Sequence, residues 1–176
     1  MSTAFVLDTC VVSETFLPRP RENVIAFLAS ADNYFIPAGV LIELQMGITK
    51  VCATSPLKAV KLSAWYNQLK RAGIPVIDTD ADISEICGIL SADPRLQGLR
   101  RGQDLQIAAA ALSRRLPIAT MDVDDFMLIN SCYPLPGIYD PLFDRWHVRM
   151  EPLADQYPYE PINTREDEYI KPAFHR

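Results

Sequence analysis

The sequence lacks the patterns that mark several common classes of protein. Its four cysteines include no CxxC pair and no Cys/His ligand spacing, so neither a zinc site nor a disulfide framework is indicated. The first residues, Met1-Ser2-Thr3, carry no basic side chain, and Asp8 soon interrupts the apolar stretch that follows, so we expect no signal peptide. No apolar run approaches the roughly 20 residues of a membrane helix. These absences predict a cytoplasmic protein with no membrane partner.

An excess of basic residues, which nucleic-acid enzymes normally use to hold phosphates, is also absent. The chain has 17 Lys and Arg residues against 22 Asp and Glu residues, a net charge of −5. If four or five of the acids converge on a bound metal ion, the rest of the chain is about neutral. The charge therefore leaves a nucleic-acid substrate open.

The chain contains enough apolar residues for one folded core, since 49% of its 176 residues are hydrophobic. Short apolar runs alternate with segments of helical spacing. The predicted strands are residues 4–7, 34–36, 75–77, 117–120 and 135–139. The predicted helices cover about residues 22–28, 37–48, 57–69, 81–90 and 105–112. This alternation predicts an α/β fold with a mainly parallel sheet of about five strands and helices on both faces.

The composition changes near Leu142. Beyond it the chain is rich in Tyr, Pro and mixed charge, without clear periodicity. We interpret residues 1–142 as one domain and residues 143–176 as a C-terminal extension of unknown order.

Several acidic residues occur where predicted strands end or helices begin. Asp8 ends the first strand, Asp104 stands at the entry of an alanine-rich helix, and Asp122, Asp124 and Asp125 follow the fourth strand. The loops after the first and fourth strands can be neighbours at the carboxyl edge of a parallel sheet. Carboxylates crowded there repel unless a cation neutralises them, and carboxylate oxygens suit Mg²⁺ or Mn²⁺. Such an ion supplies an activated water for phosphodiester hydrolysis.

Each acid also has a purely structural interpretation. Asp8 and Asp104 are each placed to cap a following turn or helix. Glu43, within a predicted helix, is interpretable as an exposed helical residue, and the acids at 122–125 as a solvated turn. Their joint placement favours the metal site.

Four ordered segments resemble the motifs of PIN-domain ribonucleases, most closely the VapC- and FitB-type toxins of bacterial toxin–antitoxin pairs. They are VLDTCVVSE at 6–14, IELQMGI at 42–48, QDLQIAAAA at 103–111 and ATMDVDDF at 119–126. With a final strand near residues 138–141, the resemblance covers about residues 4–141. It implies a PIN-like three-layer α/β/α sandwich and metal-dependent endonucleolytic cleavage of RNA.

The resemblance also implies roles for particular residues. It assigns catalytic acids to Asp8, Glu43, Asp104 and Asp125. It assigns Mg²⁺ or Mn²⁺ ligands to Asp8, Asp104, Asp122 and Asp125, with supporting hydroxyls from Thr9 and Thr120. The sequence departs from the family pattern at Cys10, where Asn is common, and at Met121-Asp122, where Arg-Asn is frequent. The second departure makes the pocket more acidic.

The partners implied by the resemblance are RNA, a cognate antitoxin protein and a second copy of the chain in a homodimer. For RNA phosphate we favour Arg100 and Arg101, which lie in a Gly-flanked loop just before Asp104. Solvated surface charge is the alternative for both.

Three rival interpretations compete with this one. A haloacid-dehalogenase-type phosphatase needs a second Asp two positions after the first, where this chain has Cys10. A response-regulator receiver expects a Lys after its last strand, and none follows Thr120 until Lys171. A catalytically inert PIN-like module that binds RNA or protein would be expected to lack one or more of the four acids, and all four are present.

Overall fold

The computed structural model describes residues 4–30, 33–99 and 102–149. The strands are β1 (Ala4–Leu7), β2 (Asn33–Pro37), β3 (Val76–Ile77), β4 (Ile118–Ala119), β5 (Ile138–Asp140) and β6 (Arg145–Val148). The helices are α1 (Thr9–Ser13), α2 (Glu22–Ser30), α3 (Ala38–Thr54), α4 (Pro56–Arg71), α5 (Ala81–Ala92), α6 (Gly102–Arg114) and α7 (Val123–Cys132). Short 3₁₀ helices occupy Glu14–Phe16 and Pro94–Leu96.

The strands form one sheet in the order β3-β2-β1-β4-β5-β6. The first five are parallel to their neighbours, and β6 pairs antiparallel with β5. The predicted α/β class and the mainly parallel sheet are confirmed, and each of the five predicted strands is present. β1 and β4 are adjacent in the centre, which puts the loops that follow them side by side.

Small side chains let α6 pack closely in the core. Its residues Ala108 to Ala111 are all buried, as are Val6 and Leu7 of β1. α6 contacts both β1 and β2. Because alanine favours helix and adds little bulk, this helix holds Asp104, in its first turn, close to the end of the central strand.

The sheet continues beyond Leu142 through β6, a strand that the sequence analysis did not predict. Trp146 of β6 packs on Tyr139 of β5 and Phe5 of β1, with ring centroids 5.1 and 5.6 Å apart. Phe27 of α2 closes this cluster at 5.2 Å from Phe5. Aromatic packing therefore holds on the sheet a strand of only four residues, Arg145–Val148. Residues 150–176, most of the proposed extension, lie outside the described residues.

The run of acids after β4 opens a helix, α7, which the sequence analysis also did not predict. Asp122 takes the N-cap position, and Asp124 and Asp125 lie in the first turn. Across the described part of the chain, every helix is too short or too polar to span a membrane.

Candidate active site

The centre of the site is the carboxylate of Asp8, held between the ends of β1 and β4. Leu7 pairs with Ala119, and the Asp8 amide donates to the Ala119 carbonyl at 3.0 Å. The Thr120 hydroxyl donates to Asp8 Oδ2 at 2.6 Å, while Asp8 Oδ1 accepts from the amide of Thr9. The neighbouring loops are thus joined directly through Asp8, which also caps α1.

Cys10 adds a third hydrogen bond that the sequence analysis did not anticipate. Its thiol donates to Asp8 Oδ2 at 3.0 Å and its sulfur accepts the Met121 amide at 3.2 Å. Asp122 joins the same network because its amide donates to Thr120 Oγ1 at 2.9 Å. The side chain at the position of this departure, Cys10, therefore helps to orient Asp8.

Asp8 is only 3% exposed. Burial raises the pKa of its carboxyl, and the charge of Glu43 adds to the increase, while the donors Thr120, Cys10 and Thr9 oppose it. Donors that stabilise the carboxylate also restrict its orientation. Asp8 is in consequence a buried acid with little freedom to turn.

Asp104, in the first turn of α6, is 5% exposed. Its Oδ2 has no hydrogen-bond partner among the described residues. Burial, followed by the charges of Asp8, Asp125, Glu43 and Asp122, raises the pKa of Asp104 to about 7. The other four acids assigned by the resemblance therefore all act electrostatically on Asp104.

Glu43 reaches this region because α3 approaches α6 closely. A Cβ at Gly39, one helical turn before Glu43, would lie 2.9 Å from Gln106 Oε1 and 3.0 Å from Gln106 Cβ. Residues four apart share a helix face, so the absent side chain at Gly39 lets the Glu43 face of α3 pack toward α6. Sequence reasoning gave this glycine no role.

Asp122 is exposed and Asp125 half-buried. The Asp122 side chain makes no capping bond to α7, so its carboxylate stays available for another partner. The Thr9 side chain is buried, and its hydroxyl has no hydrogen-bond partner among the described residues. The two hydroxyls named in the sequence analysis differ, since Thr120 is engaged with Asp8 and Thr9 is not.

No three Asp, Glu, His or Cys side chains in the described ranges stand as a ready group that could hold a metal ion. The chemistry of the donors nonetheless fits a hard divalent cation. The oxygens are carboxylate and hydroxyl, which Mg²⁺ and Mn²⁺ prefer. Asp104 Oδ2 and Thr9 Oγ1 are buried polar atoms without hydrogen-bond partners among these residues, and such atoms call for an explanation.

A groove of about 700 Å³ lies between α1, α3 and α4, and Glu43 is the acid that lines it. Thr9, Cys10 and Glu43 lie at one side, and the rest is mostly apolar with Lys50 and Lys58. The ring of Trp65 packs on Phe16 at a centroid distance of 5.5 Å. A cleft large enough for an extended ligand thus lies beside Glu43.

The predicted RNA-binding pair, Arg100 and Arg101, lies outside the described residues. Among the described residues, Arg95 forms an ion pair with Asp93 and Arg114 forms one with Asp80.

One cation beside the site was missed by the sequence analysis. Arg21 Nη1 lies 3.1 Å from Met121 Sδ and 2.8 Å from Glu14 Oε1. No local pattern marks this arginine, because Met121 is 100 residues away in the chain.

A search against protein families and known structures finds one consistent set of relatives. The family model described as PIN domain matches residues 5–128, a range that contains all four motif segments. Toxin FitB from Neisseria gonorrhoeae is 25% identical over 150 residues, which is 81% of this chain and 98% of that protein.

Solved structures agree with the observed fold. The crystal structure of FitAcB from Neisseria gonorrhoeae superposes with a TM-score of 0.60 at 24% identity, covering 78% of this chain and 97% of that one. VapBC-5 from Mycobacterium tuberculosis, a member of the VapBC family of toxin–antitoxin systems, gives 0.56 at 27% identity, with 78% and 98% covered.

Proposed function

This chain belongs to the PIN domain family, and on that premise we propose that it is a metal-dependent endoribonuclease and the toxin of a toxin–antitoxin pair. The observation that carries the proposal is the effect of four other acids on buried Asp104, whose pKa rises to about 7, first through burial and then through their charges. A cluster of carboxylates with a perturbed pKa beside a cleft is typical of functional sites.

We assign the binding of Mg²⁺ or Mn²⁺ to Asp8, Asp104, Asp122 and Asp125. When bound, such an ion supplies Lewis acidity and an activated water for phosphodiester hydrolysis. Thr120 and Cys10 orient the Asp8 carboxylate, and Thr9 contributes a buried hydroxyl. Glu43, which lines the groove, is assigned to accept at its carboxylate the proton that the attacking water gives up. The protein itself needs no side-chain nucleophile.

The same electrostatics make RNA binding depend on the cation. Five carboxylates at one edge of the sheet repel a phosphodiester, and that repulsion is strong where water is largely excluded. A divalent ion reverses the sign of the local potential. We therefore expect tight association of RNA only when Mg²⁺ or Mn²⁺ is present.

The toxin role rests on the similarity to Toxin FitB and to VapBC-5. We infer that a cognate antitoxin binds the chain and holds it inactive, that two copies form a homodimer, and that both act in the cytoplasm, where their RNA substrate is found. An acidic pocket is electrostatically suited to receive a basic side chain of an antitoxin.

The decisive experiment compares wild type with Asp8→Asn on fluorescently labelled RNA and on total cellular RNA, with Mg²⁺, Mn²⁺ or EDTA. We expect cleavage by wild type with either metal, none with EDTA, and about a 1,000-fold lower rate for Asp8→Asn, because Lewis-acid stabilisation is worth several kcal/mol. Sequencing of the cut ends would then define the RNA target.

Asp124→Asn is the matched control, since Asp124 is exposed in the same acidic loop and has no assigned ligand role. It should cleave at close to the wild-type rate. Equal rates for Asp8→Asn and wild type would contradict the site, and wild type that binds RNA without cutting it would favour an inert module.

A further inference from the structure

Arg21 precedes α2 and is anchored by a buried acid. Glu14 is 3% exposed and accepts from both the backbone amide and Nη1 of Arg21, each at 2.8 Å. The arginine side chain itself is 52% exposed. A buried carboxylate therefore holds one edge of a guanidinium whose other edge faces solvent.

A chain of three contacts links the anchored guanidinium to the buried carboxylate of Asp8. Arg21 Nη1 contacts Met121 Sδ at 3.1 Å, the Met121 amide donates to Cys10 Sγ, and Cys10 donates to Asp8. Two residues thus separate Arg21 from the buried carboxylate. The next residue after Met121 is Asp122.

Arg21 differs from the paired arginines elsewhere in the molecule. Arg95 uses both Nε and Nη2 on Asp93, whereas Arg21 uses Nη1 and its backbone amide. Its Nε and Nη2 make no hydrogen bond to any residue in the described ranges. These atoms present donors in the fork geometry that binds phosphate in two places.

We propose that Arg21 binds a backbone phosphate of the RNA next to the scissile bond, an assignment that rests on the proposed nuclease function. An anionic substrate entering an acidic site needs a positive group beside the carboxylates, and Arg21 supplies one from a separate element. The bond to Glu14 limits the rotamers of the side chain, so less entropy is lost when phosphate binds.

A purely structural role for Arg21 would be to neutralise Glu14. The two roles differ in what an arginine at position 121 can restore. Because Arg21 Nη1 already touches Met121, Met121→Arg carries a guanidinium into the same region, and thermal melting reports whether that guanidinium also neutralises Glu14. If the double variant, Arg21→Ala with Met121→Arg, regains RNA affinity but stays as thermally unstable as Arg21→Ala, then the role of Arg21 is to bind phosphate and not to neutralise Glu14.

The test measures the dissociation constant of a fluorescein-labelled single-stranded RNA in Ca²⁺, and KM in Mn²⁺, each from about 50 to 300 mM salt, the range over which phosphate contacts weaken measurably. We expect Arg21→Ala to bind at least about tenfold more weakly, because each hydrogen bond to a charged group contributes about 1.5–3 kcal/mol. The slope of log K against log salt should fall by about 0.7, the value for one phosphate contact on a single strand. We expect kcat to change little.

Arg19→Ala is the matched control, because Arg19 is an exposed arginine two residues away that forms no ion pair within the described ranges. It should bind within about twofold of wild type, as rim charges contribute little. Arg21→Ala with Met121→Arg should recover most of the affinity and the salt slope. If Arg21→Ala is poorly folded, Arg21→Gln removes the charge while keeping a donor for Glu14.

Unchanged affinity and salt slope in a folded Arg21 variant would overturn the assignment, as would an equal loss in Arg19→Ala. Failure of the double variant, Arg21→Ala with Met121→Arg, to bind better than Arg21→Ala alone would also count against it. These outcomes are distinct from failure of the proposed function, in which wild type cleaves no RNA with Mg²⁺ or Mn²⁺.

Discussion

The candidate site has a strand-borne half, at the ends of β1 and β4, and a helix-borne half, on α6. The two halves differ in whether their buried oxygens have hydrogen-bond partners. At the ends of β1 and β4, both oxygens of Asp8 accept hydrogen bonds, from Thr9, Cys10 and Thr120. On α6, the buried atoms Asp104 Oδ2 and Gln106 Oε1 have no hydrogen-bond partner among the described residues. The protein satisfies both oxygens of Asp8, although not the adjacent Thr9 hydroxyl, and it leaves the two buried oxygens of α6 without a partner among the described residues.

This difference suggests separate roles for the two halves: the strand-borne half positions a ligand group, and the helix-borne half binds the ligand. A buried polar atom without a partner costs about 1–3 kcal/mol, so the helix-borne half destabilises the fold unless a ligand satisfies it. Natural proteins tend to accept such costs at functional sites. The strand-borne half orients one carboxylate in advance, and the helix-borne half supplies the negative potential that a cation would neutralise.

Removing the charge of Asp104 should have the largest effect of the changes that test the comparison between the two halves. We expect Asp104→Asn to slow metal-dependent cleavage by about 100-fold or more and yet to raise the thermal stability of the metal-free protein. The raised folded pKa, about 7, means that the folded state binds more protons than the unfolded state from about pH 4 to 7. The free energy of unfolding contributed by Asp104 therefore decreases as pH rises through that window.

Melting temperatures in EDTA from about pH 5 to pH 8 provide the measurement. The gain in Asp104→Asn should be largest at the upper end of this range and shrink toward the lower end, at about 3 °C for each kcal/mol relieved. Asp124→Asn should show no such trend. A melting temperature for Asp104→Asn below that of wild type at about pH 8 would show that the buried charge of Asp104 does not destabilise the metal-free fold.

The strand-borne half is also the half that the sequence predicts well. A carboxylate that ends an apolar strand, and a hydroxyl after another, meet wherever two parallel strands are adjacent. The positions of Asp8 and Thr120 follow from that rule. The five parallel strands and the five helices around them follow from apolar periodicity.

The helix-borne half depends on distances between helices, which periodicity does not encode. That Asp104 is affected by Glu43 requires the packing of α3 on α6, and so requires Gly39. Arg21 reaches Met121 only through tertiary structure. β6 escaped prediction because its polar–apolar alternation spans only the four residues Arg145–Val148, and the aromatic contacts with Phe5 and Tyr139 that hold it exist only in the folded chain.

Widening the gap between α3 and α6 should have an intermediate effect on the rate of metal-dependent cleavage. In Gly39→Ala, the new methyl group meets Gln106 Cβ at 3.0 Å, so the helices must separate by a few tenths of an ångström or Gln106 must move. We expect cleavage about tenfold slower, because displacement of catalytic groups by about 1 Å can cost 100-fold. Metal-dependent cleavage and thermal melting are the two readouts.

Gly88→Ala is the control for this change. Gly88 lies in α5, and a methyl group added there would meet nothing within 4 Å, so alanine should stabilise the helix by up to about 1 kcal/mol and leave cleavage unaltered. Should Gly39→Ala behave like Gly88→Ala, the close approach of α3 would have no bearing on the acids.

The smallest expected effect concerns Cys10, one of three donors that hold Asp8. Cys10→Ala removes the donor to Asp8 Oδ2 and the acceptor for the Met121 amide, whereas Cys10→Ser keeps both functions with a smaller atom. Because Thr120 and Thr9 still hold Asp8, we expect Cys10→Ala to weaken Mn²⁺ binding by about threefold to tenfold, at or below the usual range for a supporting residue. Cys10→Ser should retain most of the affinity, and titration calorimetry measures both variants without relying on cleavage.

Thr120→Val should weaken Mn²⁺ binding more than Cys10→Ala does, since the hydrogen bond from Thr120 to Asp8 is shorter than that from Cys10, 2.6 against 3.0 Å. If instead all three variants bind Mn²⁺ as wild type does, then the hydrogen bonds at the strand ends do not prepare Asp8 for the cation, and the two halves of the site differ only in stability.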